Sequence, residues 1–305
     1  MHKRNKHNGQ YNFEELVKTH EALALFVAKN KYDTLSIDFF NPKAVIALNT
    51  ALLKYHYRLD YWHIPANYLC PPIPGRAEYI HHAADLLGNE LRGKIPRGKE
   101  VRILDIGTGA NCIYPLIGEK SYGWVFVGTD IDETALKNSQ EIIRKNKLKD
   151  SISLRLQSKP NHYFEGMIQK DEIFALSICN PPFHESAQEA AQHNVRKNKN
   201  LKGDAAAEQS LNFGGKSHEL WCKGGEQKFI REMIKESESF KNNCIWFTTL
   251  VSKENNLKSI EKQLAASAAT DFRLIPMELG NKKSRMVAWT YYETRLRKTF
   301  LESLG

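Results

Sequence analysis

No run of apolar residues in this chain approaches the roughly 20 that a membrane-crossing helix needs. The opening, MHKRNKHNGQ, is basic, but no apolar stretch follows it, which excludes a secretory signal. Cysteine is scarce: Cys70, Cys112, Cys179, Cys222 and Cys244, an odd count of five with no CxxC pair. That excludes a disulfide framework and a zinc-knuckle pattern. Reduced thiols in a soluble cytoplasmic protein are the expectation, and no metal is expected. There is no internal repeat. Acidic residues are outnumbered, 35 against 44 Lys and Arg, for a net charge of +9. Such an excess favours a polyanion, with nucleic acid ahead of a membrane surface. With 41% hydrophobic residues in 305, the chain can bury one α/β domain and a smaller module.

Two regions differ in pattern. Residues 1–74 form a basic, mainly helical module, expected to touch nucleic acid. After its polar start, apolar spacing at Leu16, Leu23, Phe26 and Val27 predicts a helix over Phe13–Asn30. A second helix starts after Asn41-Pro42, where Pro suits the first turn, and runs towards Lys54. Pro65 and the run Pro71-Pro72-Ile73-Pro74-Gly75 read as a linker. Residues 75–305 alternate strands and helices. A helix is predicted over Tyr79–Leu91, with strands at Val101–Ile106, Val125–Asp130, Ile152–Gln157, Phe174–Cys179 and Cys244–Val251. Helices are predicted over Asp132–Lys147, Glu226–Ser239 and from Lys253, and further strands near Phe272–Pro276 and Met286–Tyr292. The pattern predicts a mostly parallel sheet with helices on both faces. Residues 184–224 form a long polar insertion carrying Arg196, Lys197, Lys199 and Lys202, either a functional lid near phosphates or a solvated loop. Lys3, Arg4 and Lys6 are either an RNA-contacting arm or a frayed end. His81-His82, lacking a matching Cys or acidic cluster, reads as structural.

Two motifs carry chemistry. Asp105-Ile106-Gly107-Thr108-Gly109-Ala110 follows the first strand directly, and Asp130 closes the next, 23 positions beyond Gly107. Glycines let a backbone turn approach a ligand, and an acid at the second strand end can accept ribose hydroxyls. The third glycine of a dinucleotide fingerprint is absent, and Asp105 would repel a pyrophosphate. A cationic ligand bearing an amino group, S-adenosylmethionine, fits better. The second motif, Asn180-Pro181-Pro182-Phe183, ends the fourth strand, where open α/β sheets place ligands. The Asn180 side-chain oxygen and the Pro181 carbonyl can accept both hydrogens of an exocyclic adenine amine, turning its lone pair towards a methyl donor. Phe183 offers a face for a flipped-out base.

These residues resemble the bacterial 23S ribosomal RNA adenine-N6 methyltransferases, the ribosomal RNA large subunit methyltransferase F family. They are also similar to the methyltransferase domain of the eukaryotic methyltransferase-like protein 16 family. The resemblance rests on Met1-His2-Lys3-Arg4-Asn5, Asn41-Pro42-Lys43-Ala44-Val45, Pro72-Ile73-Pro74-Gly75-Arg76 and Asp105–Gly109 with Cys112-Ile113-Tyr114-Pro115-Leu116. It continues through Asn180–Phe183, Gly224-Gly225-Glu226 and Ala288-Trp289-Thr290-Tyr291. It implies a Rossmann-like class I methyltransferase fold, a seven-stranded sheet whose last strand is antiparallel. It implies S-adenosyl-L-methionine as cofactor, held by Arg76, Asp105, Gly107, Gly109, Asp130 and Asn180. Asn180, Pro181 and Phe183 would act on the adenine, and Gln157 or Ser158 would meet the cofactor's ring. The implied partner is 23S ribosomal RNA or a large-subunit assembly intermediate, met by a monomer. Two other readings are a protein glutamine N5-methyltransferase, which favours Tyr in place of Phe183, and a catalytically silent RNA-binding factor. A nicotinamide dehydrogenase is disfavoured by the missing glycine.

Overall fold

A computed structural model describes residues 1–186, 189, 217–279 and 282–304. Asn12 caps helix α1 (Phe13–Thr19) by accepting from the Glu15 N–H. The helix stops there rather than continuing to Asn30. His20 turns extended, a 3-10 turn follows over Glu21–Phe26, and the chain enters β1 (Val27–Lys29). β1 pairs antiparallel with β2 (Leu35–Ile37). The cause lies in the turn between them. Asn30 Oδ1 accepts from the Tyr32 and Thr34 N–H groups, and Asp33 takes a left-handed conformation, φ 59°. Such Asx turns draw the backbone away from helix. Helix α2 (Pro42–Tyr57) begins as expected, with Asn41 accepting from Lys43 and Ala44 N–H.

Helix α3 (Ile73–Glu90) starts inside the stretch expected to be linker, because Pro74 falls in its first turn, where a missing N–H costs nothing. Next come β3 (Arg102–Ile106), α4 (Ile113–Tyr122), β4 (Val125–Asp130), α5 (Glu133–Lys145), β5 (Ile152–Leu156) and β6 (Phe174–Cys179). The rest is α6 (Ser217–Leu220), α7 (Gly225–Ser237), β7 (Cys244–Val251), α8 (Leu257–Ala266), β8 (Asp271–Leu279), β9 (Lys282–Thr290) and α9 (Thr294–Ser303). Helices α4 and α9 had no sequence expectation.

The large sheet has seven strands in the order β5-β4-β3-β6-β7-β9-β8. Neighbours from β5 to β7 are parallel, and β9, the last strand, runs against both β7 and β8. Every residue of β6 and β7 is buried, because helices cover both faces. Ile103 packs with residues of α3, α4, α5 and α9, while its neighbour Leu104 packs on the other face with Ile230, Met233 and Ile234 of α7. A third, smaller core joins Phe13, Leu16, Leu23 and Ile37 to one side of α2. Farther along α2, Leu53 and Tyr57 enter the main core.

The N-terminal arm is tied down. The His2 N–H and Asn5 Nδ2 donate to Glu78, and Arg4 and His2 reach Asp85, each at 2.7 or 2.8 Å. Arg4 is thereby committed to α3, which removes it from a free arm. Among the described residues, no helix is long and apolar enough to cross a membrane, and no group of three or more His, Cys, Asp or Glu could hold a metal ion.

Candidate active site

The carboxyl ends of β3, β4 and β6 open into one cleft, enclosing about 940 Å³ with its mouth counted. Arg76, Gly107, Gly109, Asp130 and Asn180 all line it. Asp105 does not form the wall. It lies just beneath, wholly buried, at the end of β3. Pro181 and Phe183 follow Asn180 but leave the lining to Pro182. Of the two third-strand candidates, Gln157 lines the cleft and the exposed Ser158 does not. The Gln157 side chain is already engaged, donating to the Glu165 carbonyl at 2.9 Å and accepting from the Lys159 N–H at 2.9 Å. Arg196, Lys197, Lys199 and Lys202 lie outside the described residues.

The glycine turn is held from several sides. Gly107 and Gly109 have φ of 74° and 65°, a region that suits glycine. A Cβ on Gly107 would meet no described atom within 4 Å, so this backbone is open to a ligand. The N–H groups of Gly107 and Thr108 both donate to the Thr129 carbonyl at 2.9 Å. The Gly109 N–H donates to Asp130 Oδ2 at 2.8 Å, and Ser139 of α5 donates to the Gly109 carbonyl at 2.7 Å. The other Asp130 oxygen accepts from the Asp132 N–H at 2.9 Å. Asp130 therefore shapes the turn as well as facing the cleft.

Burial pushes the Asp105 carboxyl up to about 7, with Thr108 and Arg76 opposing and the Asp130 charge adding to the rise. Neither Asp105 oxygen has a hydrogen-bond partner among the described residues. A buried carboxyl without partners is costly. It marks a place where a cationic donor would be strongly held. Opposite it, Arg76 Nη1 donates to the Tyr114 hydroxyl at 2.8 Å, which fixes the guanidinium in the wall. The cleft thus offers a guanidinium and an open glycine turn, with the Asp105 carboxyl buried just beneath, the groups that would receive an amino acid's two charges and a ribose.

On the other side, the end of β6 is clamped. Thr248 Oγ1 of β7 donates to the Ser177 carbonyl at 2.7 Å. Its single proton spent, it accepts from the Tyr79 hydroxyl at 2.7 Å. The Tyr79 oxygen in turn accepts from the Cys179 N–H at 3.2 Å. This chain from α3 fixes the backbone one residue before Asn180. Asn180 Oδ1 is buried and has no partner among the described residues. Pro182, Tyr163 and Phe229 supply apolar wall next to it. Sequence reasoning missed Tyr79, Tyr163 and Phe229, because each comes from a separate element and only packing brings them here. It also missed Glu219 of α6, which accepts from the Leu69 N–H at 3.0 Å and lines the cleft. The two ends of the insertion meet here as well: the His184 N–H donates to the Leu220 carbonyl and the Cys222 N–H to the His184 carbonyl.

A family model described as RNA methyltransferase matches residues 1–293. The chain belongs to this RNA methyltransferase family. It is 51% identical over 292 residues to ribosomal RNA large subunit methyltransferase F of Cytophaga hutchinsonii, covering 95% of this chain and 91% of the relative. The enzyme of that name from Bacteroides fragilis is 49% identical over 299 residues, with 95% and 98% covered. Among solved structures, the human METTL16 catalytic domain in complex with the MAT2A 3′UTR hairpin 6 superposes with a TM-score of 0.80 at 28% identity, covering 96% of this chain and 98% of that one. The N-terminal domain of human METTL16 in complex with SAH gives 0.76 at 25% identity, covering 96% and 99%. The Rossmann-like methyltransferase fold expected from the sequence is shared with these proteins.

Proposed function

We propose that this protein transfers a methyl group from S-adenosyl-L-methionine to the N6 amine of an adenine in 23S ribosomal RNA. The observation that carries the reading is Asn180 Oδ1, a buried acceptor without a partner among the described residues, in a cleft shared with the glycine turn and lying over the buried Asp105. The relatives named as ribosomal RNA methyltransferases supply the RNA class. The cofactor supplies an electrophilic methyl group. The chain's residues hold and orient what meets it. Asp105 would accept the amino group and Arg76 would hold the carboxylate. Asp130 would accept a ribose hydroxyl.

Asn180 then sets the chemistry. Its oxygen accepts one amine hydrogen and the Pro181 carbonyl the other, which draws the nitrogen lone pair out of conjugation with the ring and leaves it free to face the methyl donor. As the nitrogen becomes tetrahedral and positive, both hydrogen bonds strengthen, so they stabilise the transition state more than the ground state; with S-adenosylhomocysteine as the leaving group, the nitrogen then loses one proton to water. Phe183 stacks on the extruded base, worth ~1–3 kcal/mol. The protein acts as a cytoplasmic monomer on this reading. A protein-directed glutamine methyltransferase has less support, since the family and its relatives are RNA enzymes. Mapping N6-methyladenine in 23S RNA by mass spectrometry, with and without the gene, tests the proposal. One adenine should lose its methyl group in the deletion and regain it on incubation with purified protein. Unchanged methylation at every position would refute it.

A further inference from the structure

A second recess lies away from the cofactor cleft, lined by Lys6, Tyr55, His56, Tyr57, Arg58 and Lys120. Its three cations come from three parts of the chain: the N-terminal arm, the residue that ends α2, and the last turn of α4. Lys6 and Lys120 make defined side-chain contacts, and Arg58 is set by its backbone. Lys6 sits between the buried Asn5 and His7, and its Nζ donates to the His56 carbonyl at 2.7 Å. Arg58 occupies a left-handed position, φ 55°, at the α2 terminus. Lys120 pairs with Glu119 at 3.2 Å. Neither Lys6 nor Arg58 meets a carboxylate among the described residues. Burial, and then the nearby Arg58 charge, lower the Lys6 pKa. Arg97, donating to the Ser121 carbonyl beside Lys120, extends the positive belt. Glu119 already answers the Lys120 charge, while those of Lys6 and Arg58 repel each other unless an anion joins them.

We propose that this recess is a phosphate subsite for the backbone of the RNA substrate, separate from the site that takes the target adenine. The inference rests on the RNA reading above. Helix α4 supplies the spacing: Ile113 lines the cofactor cleft and Lys120 the recess, about 10 Å apart at ~1.5 Å per residue. A phosphate bound here therefore belongs to a nucleotide other than the one methylated. Two phosphate-binding modes are distinguishable, an RNA phosphodiester and free inorganic phosphate. Lys6 also caps the α2 carboxyl end, so it is left intact in the test.

The experiment compares wild type with Arg58→Gln/Lys120→Gln and with a control of equal charge loss, Lys258→Gln/Lys262→Gln, exposed on α8 across the sheet. Affinity for a structured 23S RNA fragment is measured over a range of KCl concentrations. The recess variant should bind more weakly, with a slope of log affinity against log salt shallower by about 0.7–0.9 per phosphate lost. The control should keep the wild-type slope. S-adenosylmethionine affinity should be unchanged in all three. Equal slopes in wild type and the recess variant would overturn the proposal, as would an equal change in the control. Calorimetric binding of inorganic phosphate by the free protein, with no slope change for RNA, would assign the recess to a free anion and also overturn it. Methylation of the same fragment by the wild type reports separately on the functional reading.

Discussion

Replacing Asp130 by alanine removes two kinds of contact at once. The side chain accepts the Gly109 N–H at 2.8 Å and the Asp132 N–H at 2.9 Å, and it faces the cofactor cleft. Hydrogen bonds to a charged acceptor contribute about 1.5–3 kcal/mol each, less where water reaches the group. Asp130 is only half-buried, which extends the range downwards. We expect S-adenosylmethionine to bind more weakly by roughly 1–3 kcal/mol, about 5- to 150-fold. Asp130→Asn divides the effect only in part. Its oxygen can still accept the Gly109 N–H, but its amide nitrogen then faces the Asp132 N–H, and the negative charge proposed to meet the ribose is gone. Its affinity should fall between those of wild type and Asp130→Ala. Calorimetric titration with S-adenosylmethionine, beside thermal unfolding of the ligand-free proteins, measures both. A folded Asp130→Ala protein with wild-type affinity would remove Asp130 from the cofactor site.

Asp105 gives a pH prediction. Its folded pKa of about 7 lies above the ordinary 3.8, so between those values the folded protein keeps a proton that the unfolded chain has released. Wild-type stability should therefore fall as pH climbs through that window. Asp105→Asn escapes this penalty, and its Tm advantage over ligand-free wild type should grow from pH 5 to pH 8; a constant difference would contradict the assignment. Glu226 is buried and accepts from the Ser252 N–H and hydroxyl, the Lys253 N–H and Asn256 Nδ2. Glu226→Ala leaves these donors without an acceptor and should cost about 3 kcal/mol in urea unfolding, with Glu226→Gln milder; a loss under about 1 kcal/mol would show that water replaces the carboxylate.

The motifs lying on contiguous residues were legible in the sequence. Asp105–Gly109 and Asn180–Phe183 each sit at the end of a largely apolar strand, and the strand pattern places both at one sheet edge. The sheet's main strands were read within a residue or two for the same reason. What escaped depends on contacts between distant segments or on local turn chemistry. The β1–β2 hairpin was hidden because Glu21–Phe26 has helical composition, while the deciding signal was the Asn30 and Asp33 turn. Helix α4 was missed because Pro115 and Gly118 look like breakers. Pro115 sits in the first turn, and Gly118 is required by Phe126, whose Cζ lies 2.3 Å from where a Cβ would stand. Lys3, Arg4 and Lys6 looked alike as charges, yet Arg4 is bound to Asp85 and Lys6 to the end of α2. Only packing separates them.

The central claim is that Asn180 directs the amine for methyl transfer. Single-turnover methylation of a 23S RNA fragment, at saturating enzyme and cofactor, tests it most directly. Tyr79 and Thr248 fix the strand end from outside the cleft, so Asn180→Ala should leave the protein folded. The predicted rate falls by ~10²–10³, the cost of losing one preorganised contact to a developing charge. Phe183→Ala should weaken base capture more than it slows the bound step. A folded Asn180→Ala protein that methylates at close to the wild-type single-turnover rate would contradict the account.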